Sequence, residues 1–282
     1  MSLLIVAAVL PVFVLCFFVY KKDPHHEPGN LLVKIFTLGF FSAIPVFVVE
    51  IFLGKVFPTK EVSNFILIFI NTFISVALVE EGFKWIVTTF IGYKGKEFDE
   101  IYDIIVYATF ASLGFACIEN ILYVISHGFL NALLRALTSI PGHACFGIIM
   151  GYFLAQAKIG TINKNVKIFQ KNILLSLFIP TIFHTLYDAF LLYTSYNLLG
   201  ILLFFVFDIF MVVLCFITIN KMSKIQYNLD KNLNTGVIST DKTGQLVFSN
   251  PISINKEINY CPICGSPVKD YIYCSKCGFK IR

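Results

Sequence analysis

The chain has 282 residues, 57% of them hydrophobic and 14% charged. A soluble domain carries about 25% charged residues, so a water-soluble class is excluded and a polytopic membrane protein is indicated. The net charge of +5 is not a nucleic-acid signature, because the lysines fall in loops between apolar runs, where they act as topology signals.

Seven apolar runs are long enough to span a bilayer, at about 3–20, 31–53, 62–91, 101–125, 133–156, 172–193 and 198–219. The fold class is therefore all-α and polytopic, with about seven transmembrane helices. The first run has no preceding basic region and no small-residue cleavage site, and Lys21 and Lys22 follow it. It reads as a retained span rather than a removed signal. Loops on one side carry Lys21, Lys22, Lys94, Lys96, Lys158, Lys164, Lys167, Lys171, Lys221 and Lys224, against Lys55, Lys60 and Arg135 on the other. The positive-inside rule then puts the N-terminus outside and the C-terminal tail in the cytosol.

The loop 21–30, KKDPHHEPGN, is polar. His25 and His26 could ligate a metal, although adjacent histidines in a solvated loop usually have no such role. Glu50, near the outer end of the second run, is placed to snorkel toward the interface.

The third run holds Glu80, Glu81 and Lys84, three charges in five positions. Each costs about 2.5–3.5 kcal/mol at a bilayer centre unless it faces protein, water or an opposite charge. Lys84 can reach Glu80 at i,i+4 and Glu81 at i,i+3. One lysine cannot neutralise both closely, so one carboxylate is expected to be held and the other left reactive. The segment 92–103 is mixed in charge and reads as the start of an interfacial helix.

In the fourth run Ser112, Phe115, Glu119 and Tyr123 share one helical face. Glu119 is either a reacting acid or a structural hydrogen-bond partner, and for Asn120 the structural reading is the better one. The fifth run has Pro141, Gly142 and His143 near its start. Proline suits a first helical turn, so the helix is expected to begin there after a re-entrant or interfacial piece at 127–140. Gly147 and Gly151 are spaced for close backbone contact with another span. The sixth run places His184 and Asp188 on one face at i,i+4, as a mutually satisfied pair or as two groups aimed at one reacting centre. Asp208, in the seventh, has no motif around it, and a helix-packing hydrogen bond is the default.

Depth along each helix shows whether these groups can meet. Measured from the cytoplasmic helix ends, Glu80 lies at about 16 Å, His143 at about 20 Å, His184 at about 18 Å and Glu119 at about 21–27 Å. They can converge between the midplane and the outer half of a core about 30 Å thick. Three chemistries use such a set. A carboxylate can take a proton from water while imidazoles and an acid hold an oxyanion. His143, His184 and an acid can surround a zinc ion. Alternatively, the groups serve a non-catalytic transporter or signalling scaffold that uses them for ions or packing.

Cys16, Cys117, Cys145 and Cys215 are scattered through apolar runs as small hydrophobes. Residues 220–258 form a polar linker with a weak hairpin at 236–248. Cys261, Cys264, Cys274 and Cys277 then form two C-x-x-C knuckles, each followed by glycine and separated by nine residues. That spacing specifies a four-cysteine zinc ribbon at 259–282, with a structural Zn2+ and a possible cytosolic protein partner. The domains are thus 1–219, 220–258 and 259–282.

Four of these motifs, each in its own apolar run, carry a resemblance. Glu80-Glu81-x-x-Lys84, Phe115-x-x-x-Glu119-Asn120, His143 with its small neighbours and His184-x-x-x-Asp188 resemble the PrsW family of intramembrane proteases. That family lies within the wider superfamily of CAAX prenyl proteases and bacteriocin-processing enzymes. The resemblance implies an intramembrane endopeptidase acting on a membrane-associated protein. Glu80 would be the water-activating base, and Glu81 with Lys84 would hold the charge network. His143, His184 and Asp188 would bind water or the oxyanion, and Glu119 would belong to the same site. It also implies site-1 cleavage of an anti-sigma factor or similar regulator, by glutamate chemistry rather than a membrane-site metal. The chain departs from the CAAX branch in having Lys84 where that branch has a later arginine.

Overall fold

Without water to satisfy them, the backbone groups of an apolar span must bond within the span, so such runs become helices. The computed structural model describes residues 2–59, 62–95, 97–162, 164–235, 239–240 and 246–247. In chain order the helices are α1 (Ser2–Lys21), α2 (Gly29–Val56), α3 (Phe65–Tyr93), α4 (Asp103–His127), α5 (Phe129–Leu137), α6 (Ser139–Ile162), α7 (Val166–Tyr193) and α8 (Leu198–Thr235). Two short strands, β1 (Ser239–Thr240) and β2 (Leu246–Val247), pair antiparallel within the interval expected for a hairpin. The four tail cysteines lie outside the described residues.

Among the described residues, seven segments are long and apolar enough to cross a membrane, with α5 and α6 sharing one. The outer faces of α1, α2 and α8 present Phe13, Phe17, Ile51, Phe52, Phe210 and Ile217, each more than half exposed. Contiguous apolar surface of this kind is stable against lipid and not against water.

Some element boundaries differ from expectation. The piece before His143 is a separate helix, α5. Gly128, at φ 82°, makes the left-handed turn into it. The fifth long helix begins at Ser139, with Pro141 in its first turn. The segment after Tyr93 is turns, not an interfacial helix, and α4 starts at Asp103. Helix α8 continues beyond 219, where its apolar run ends, to Thr235.

Helix α4 is the centre of the bundle. Most of its residues are buried, packed by α1, α2 and α6. Glycines set these distances. A Cβ at Gly114 would lie 2.1 Å from the Phe36 carbonyl oxygen, and one at Gly39 would lie 2.1 Å from that of Ala111. On the other face, a Cβ at Gly151 would lie 2.5 Å from Ile105 Cα and one at Gly147 2.8 Å from the Ala108 oxygen, so α6 uses its glycine pair as expected. The obstacles are backbone and cannot rotate away. Gly114→Val is expected to destabilise the bundle by about 1–3 kcal/mol, read as a lower melting temperature in detergent. Gly54→Ala, facing open space, serves as the unshifted control.

Candidate active site

The charged turn of α3 lies between two π-helical stretches, Phe73–Ala77 and Thr88–Tyr93. Each π turn adds a residue and rotates the helix face that follows. Between them, Glu80, Glu81 and Lys84 turn inward, and Glu81 and Lys84 are fully buried. The Lys84 ammonium has three donors, and all three are used. Nζ donates to Glu80 Oε2 at 3.0 Å and to Glu81 Oε1 at 2.8 Å, and lies 3.0 Å from His143 Nδ1. The Phe115 ring lies 4.3 Å from the same ammonium, adding a cation–π contact.

These contacts determine the state of His143. A lysine ammonium only donates, so Nδ1 accepts and the ring proton sits on Nε2. Nε2 then donates to Glu119 Oε2 at 2.8 Å. Ser112 Oγ holds the same turn by donating to the His143 carbonyl at 2.7 Å. Both ring nitrogens are therefore engaged, and the imidazole bridges Lys84 and Glu119.

His184 on α7 faces the other side of the cluster. Its Nδ1 lies 3.0 Å from Glu81 Oε1, and its Nε2 lies 3.3 Å from Asp188 Oδ2 and 4.0 Å from Glu80 Oε2. Phe146 of α6 stacks on the ring at 4.6 Å, fixing its plane. An imidazole between carboxylates can carry and return a proton. The two glutamates are not equivalent. Glu81 Oε1 receives both Lys84 and His184, whereas among the described residues Glu80 has a hydrogen bond from Lys84. The Glu81 side chain is 0% exposed and that of Glu80 is 6%. The rim is more open, with Asp188 at 22%, Arg135 at 14% and Glu119 at 12%. The cluster thus opens toward the lysine-poor end.

All seven residues singled out from the sequence, Glu80, Glu81, Lys84, Glu119, His143, His184 and Asp188, meet in this one cluster. Two further groups join it. Arg135, which counted among loop charges, pairs with Glu119 Oε1 at 3.1 Å, donates Nε to Asn120 Oδ1 at 2.8 Å and lies over the Tyr123 ring at 4.1 Å. The available signal was a lone arginine inside the apolar stretch 129–137. Glu50 does not snorkel. Its Oε1 is buried with no hydrogen-bond partner, and it lies near enough to Glu80 and Glu119 to interact with their charges. Asn120 has the structural role expected, donating Nδ2 to the Ala8 carbonyl of α1 at 2.8 Å. Asp208 takes no part; its Oδ1 is buried and unpartnered.

The donor set matches a metal site in type. Glu80, Glu81 and His184 bring ligand atoms within 4.8 Å of one another, as do Glu80, Glu119 and His143. Two carboxylates and an imidazole suit zinc. Lys84 already contacts members of both groups at 3.0 Å or less, so an ion would share its ligands with an ammonium.

Comparison with known proteins gives one consistent result. Residues 27–217 match the family described as PrsW family intramembrane metalloprotease. The chain is similar to Protease PrsW of Oceanobacillus iheyensis, 38% identical over 223 residues that cover 79% of this chain and 95% of that relative. Protease PrsW of Halalkalibacterium halodurans is 37% identical over 230 residues, covering 81% and 99%. That of Bacillus subtilis is 35% identical over 208 residues, covering 73% and 91%. No solved structure gives a significant match.

Proposed function

The chain belongs to the PrsW family and is an intramembrane protease, and we propose that Glu80 is the base that activates its attacking water. The observation that supports this role is the inequality of the two glutamates: Glu81 is doubly held and sealed, while Glu80 is singly held and retains 6% exposure. In this reading Glu80 takes a proton from water as the oxygen attacks the scissile carbonyl. It then passes that proton to the amide nitrogen as the oxyanion collapses and the C–N bond breaks, releasing an amine and a carboxylic acid that then ionises in water. As an imidazolium, His184 keeps Nδ1–H on Glu81 Oε1 and offers Nε2–H, between Glu80 and Asp188, to the developing oxyanion. Asp188 orients that ring. His143, Glu119 and Arg135 hold Lys84 in place, and Lys84 offsets the charge of the glutamate pair.

Glu80, Glu81 and His184 are also the residues that would hold a zinc ion, which when bound supplies a Lewis acid and lowers the pKa of water. We favour the glutamate reading because Lys84 already provides a cation at that place. The substrate class is a membrane-anchored protein cut on the outer side, such as an anti-sigma factor, in keeping with an opening toward the lysine-poor end. The same residues suit membership of the wider CAAX and bacteriocin-processing group. The N-terminus outside, the tail in the cytosol and a zinc ribbon formed by Cys261, Cys264, Cys274 and Cys277 complete the proposal.

The test is cleavage of a panel of single-span membrane proteins by reconstituted enzyme whose four tail cysteines are replaced by serine. With the membrane cluster intact this enzyme should cut, His184→Ala should cut at least about a hundredfold more slowly, and a chelator should leave the rate unchanged. Loss of cleavage with chelator, restored by zinc, would replace the glutamate chemistry with metal chemistry.

A further inference from the structure

A second cluster of ionisable groups lies at the lysine-rich end of the bundle, away from the membrane cluster. Asp103 begins α4, and Glu119 lies about 24 Å further along the same helix. Around Asp103 gather Asp23 and Glu27 from the loop between α1 and α2, and Asp99 and Glu100 from the turns before α4. Ligand atoms of Asp23, Glu100 and Asp103 lie within 4.8 Å of one another, and so do those of Glu27, Asp99 and Asp103, with Asp103 common to both groups. Asp103 is 0% exposed, Asp23 3% and Glu27 7%.

The important detail concerns Asp103 and Asp23. Asp103 Oδ2 accepts from the Glu100 N–H at 2.7 Å and Asp23 Oδ1 from the His25 N–H at 3.2 Å, and the Asp103 carboxyl also meets that of Glu27, but among the described residues no N–H or O–H donor reaches Asp103 Oδ1 or Asp23 Oδ2, both of them buried. The Tyr102 hydroxyl is also buried and unpartnered. The Tyr107 hydroxyl, by contrast, donates to Glu27 Oε2. Lys22, next to Asp23, turns away and donates to Asn220 Oδ1 at 3.0 Å. His25 Nδ1 meets Glu100 Oε1 at 2.8 Å from the exposed rim. A buried carboxylate oxygen with no partner is costly, and like-charged neighbours add to that cost.

We propose that Asp23, Glu27, Asp99, Glu100 and Asp103 form a binding site for a hard divalent cation, Ca2+ or Mg2+. The donors are all oxygens, the ligand type these ions take. Two oxygens on opposite sides of a Ca2+ ion lie about 4.6–5.2 Å apart, so three oxygens within 4.8 Å of one another can share a Ca2+ ion, whereas Mg2+, with shorter bonds, requires the carboxylates to close in. The ion ties the first loop to the foot of α4. The same two loops are already clipped by α8: the Ile101 N–H donates to Gln226 Oε1 at 3.0 Å, and Ser223 Oγ donates to the Lys22 carbonyl at 2.7 Å. The site therefore joins three segments at the place where the chain leaves the bundle for its tail.

The experiment is a Tb3+ titration of the full-length protein in neutral detergent, exciting tyrosine and reading lanthanide emission, followed by displacement with Ca2+ or Mg2+. A saturable signal displaced by one of these ions is expected, and the better competitor identifies the occupant. Asp103→Asn should weaken Tb3+ binding at least about tenfold, and Asp23→Asn several-fold. Glu80→Gln and replacement of the tail cysteines should leave it unchanged, which separates this site from the membrane cluster and the ribbon. The proposal is overturned by no saturable signal, by a signal neither ion displaces, by wild-type affinity in Asp103→Asn, or by a signal lost in Glu80→Gln alone. Should Asp103→Asn not give a monodisperse protein, Asp23→Asn decides: wild-type affinity in that variant overturns the proposal as well.

Discussion

Glu80→Gln is expected to slow peptide-bond cleavage by about 10²–10⁴-fold, the usual contribution of a positioned general base, and to leave the fold intact. Glutamine keeps the shape of the side chain and an oxygen that can accept from Lys84 Nζ, now 3.0 Å from Glu80 Oε2. It cannot take a proton from water. Glu81 stays beside Lys84 at 2.8 Å, so the buried ammonium keeps a counter-charge. The measurement is the single-turnover rate on any cleaved substrate, alongside the melting temperature. A variant that melts like wild type and cuts like wild type would leave Glu80 a structural residue and remove the base from the mechanism. Glu81→Gln is the instructive contrast. It removes the carboxylate that both Lys84 and His184 hold, so its expected effect includes a stability loss that Glu80→Gln lacks.

Lys84→Met should be the most damaging single substitution for stability. Methionine fits the space of the lysine stem, so no large cavity opens. What is lost is the cation. Glu80, Glu81 and His143 each lose a partner at 3.0 Å or less, and two carboxylates remain buried together. Removing one member of a buried ion pair costs about 3–5 kcal/mol. His143 Nδ1 also loses the donor that sets its tautomer. The expected result is a much lower melting temperature, with partial recovery in the double variant Lys84→Met/Glu81→Gln, which removes one stranded charge. A Lys84→Met protein as stable as wild type would mean that the ammonium is not needed to hold the cluster, and with it would go the argument that Lys84 occupies the cation position.

Much of this protein is determined locally. Seven apolar stretches form helices because lipid leaves the backbone no other partner. The positions Glu80, Glu81, Glu119, His143, His184 and Asp188 are visible in sequence because an ionisable group inside an apolar run is too costly to be accidental. The i,i+3 and i,i+4 spacings show which members of one helix can touch. Spacing within a helix is silent about partners on other helices. Nothing in the order of residues says that Lys84 meets His143, that Arg135 on α5 reaches Glu119, or that Glu50 turns inward. Those contacts depend on the rotation of each helix, and here π turns in α3 and glycine contacts around α4 set that rotation. The acidic cluster at the other end shows the same division. Asp23 and Glu27 belong to a polar loop, and Asp99, Glu100 and Asp103 to a segment of mixed charge, and nothing in the sequence links the two sets. Only packing two loops against the foot of α4 buries them together, and burial converts harmless charges into groups that require a partner.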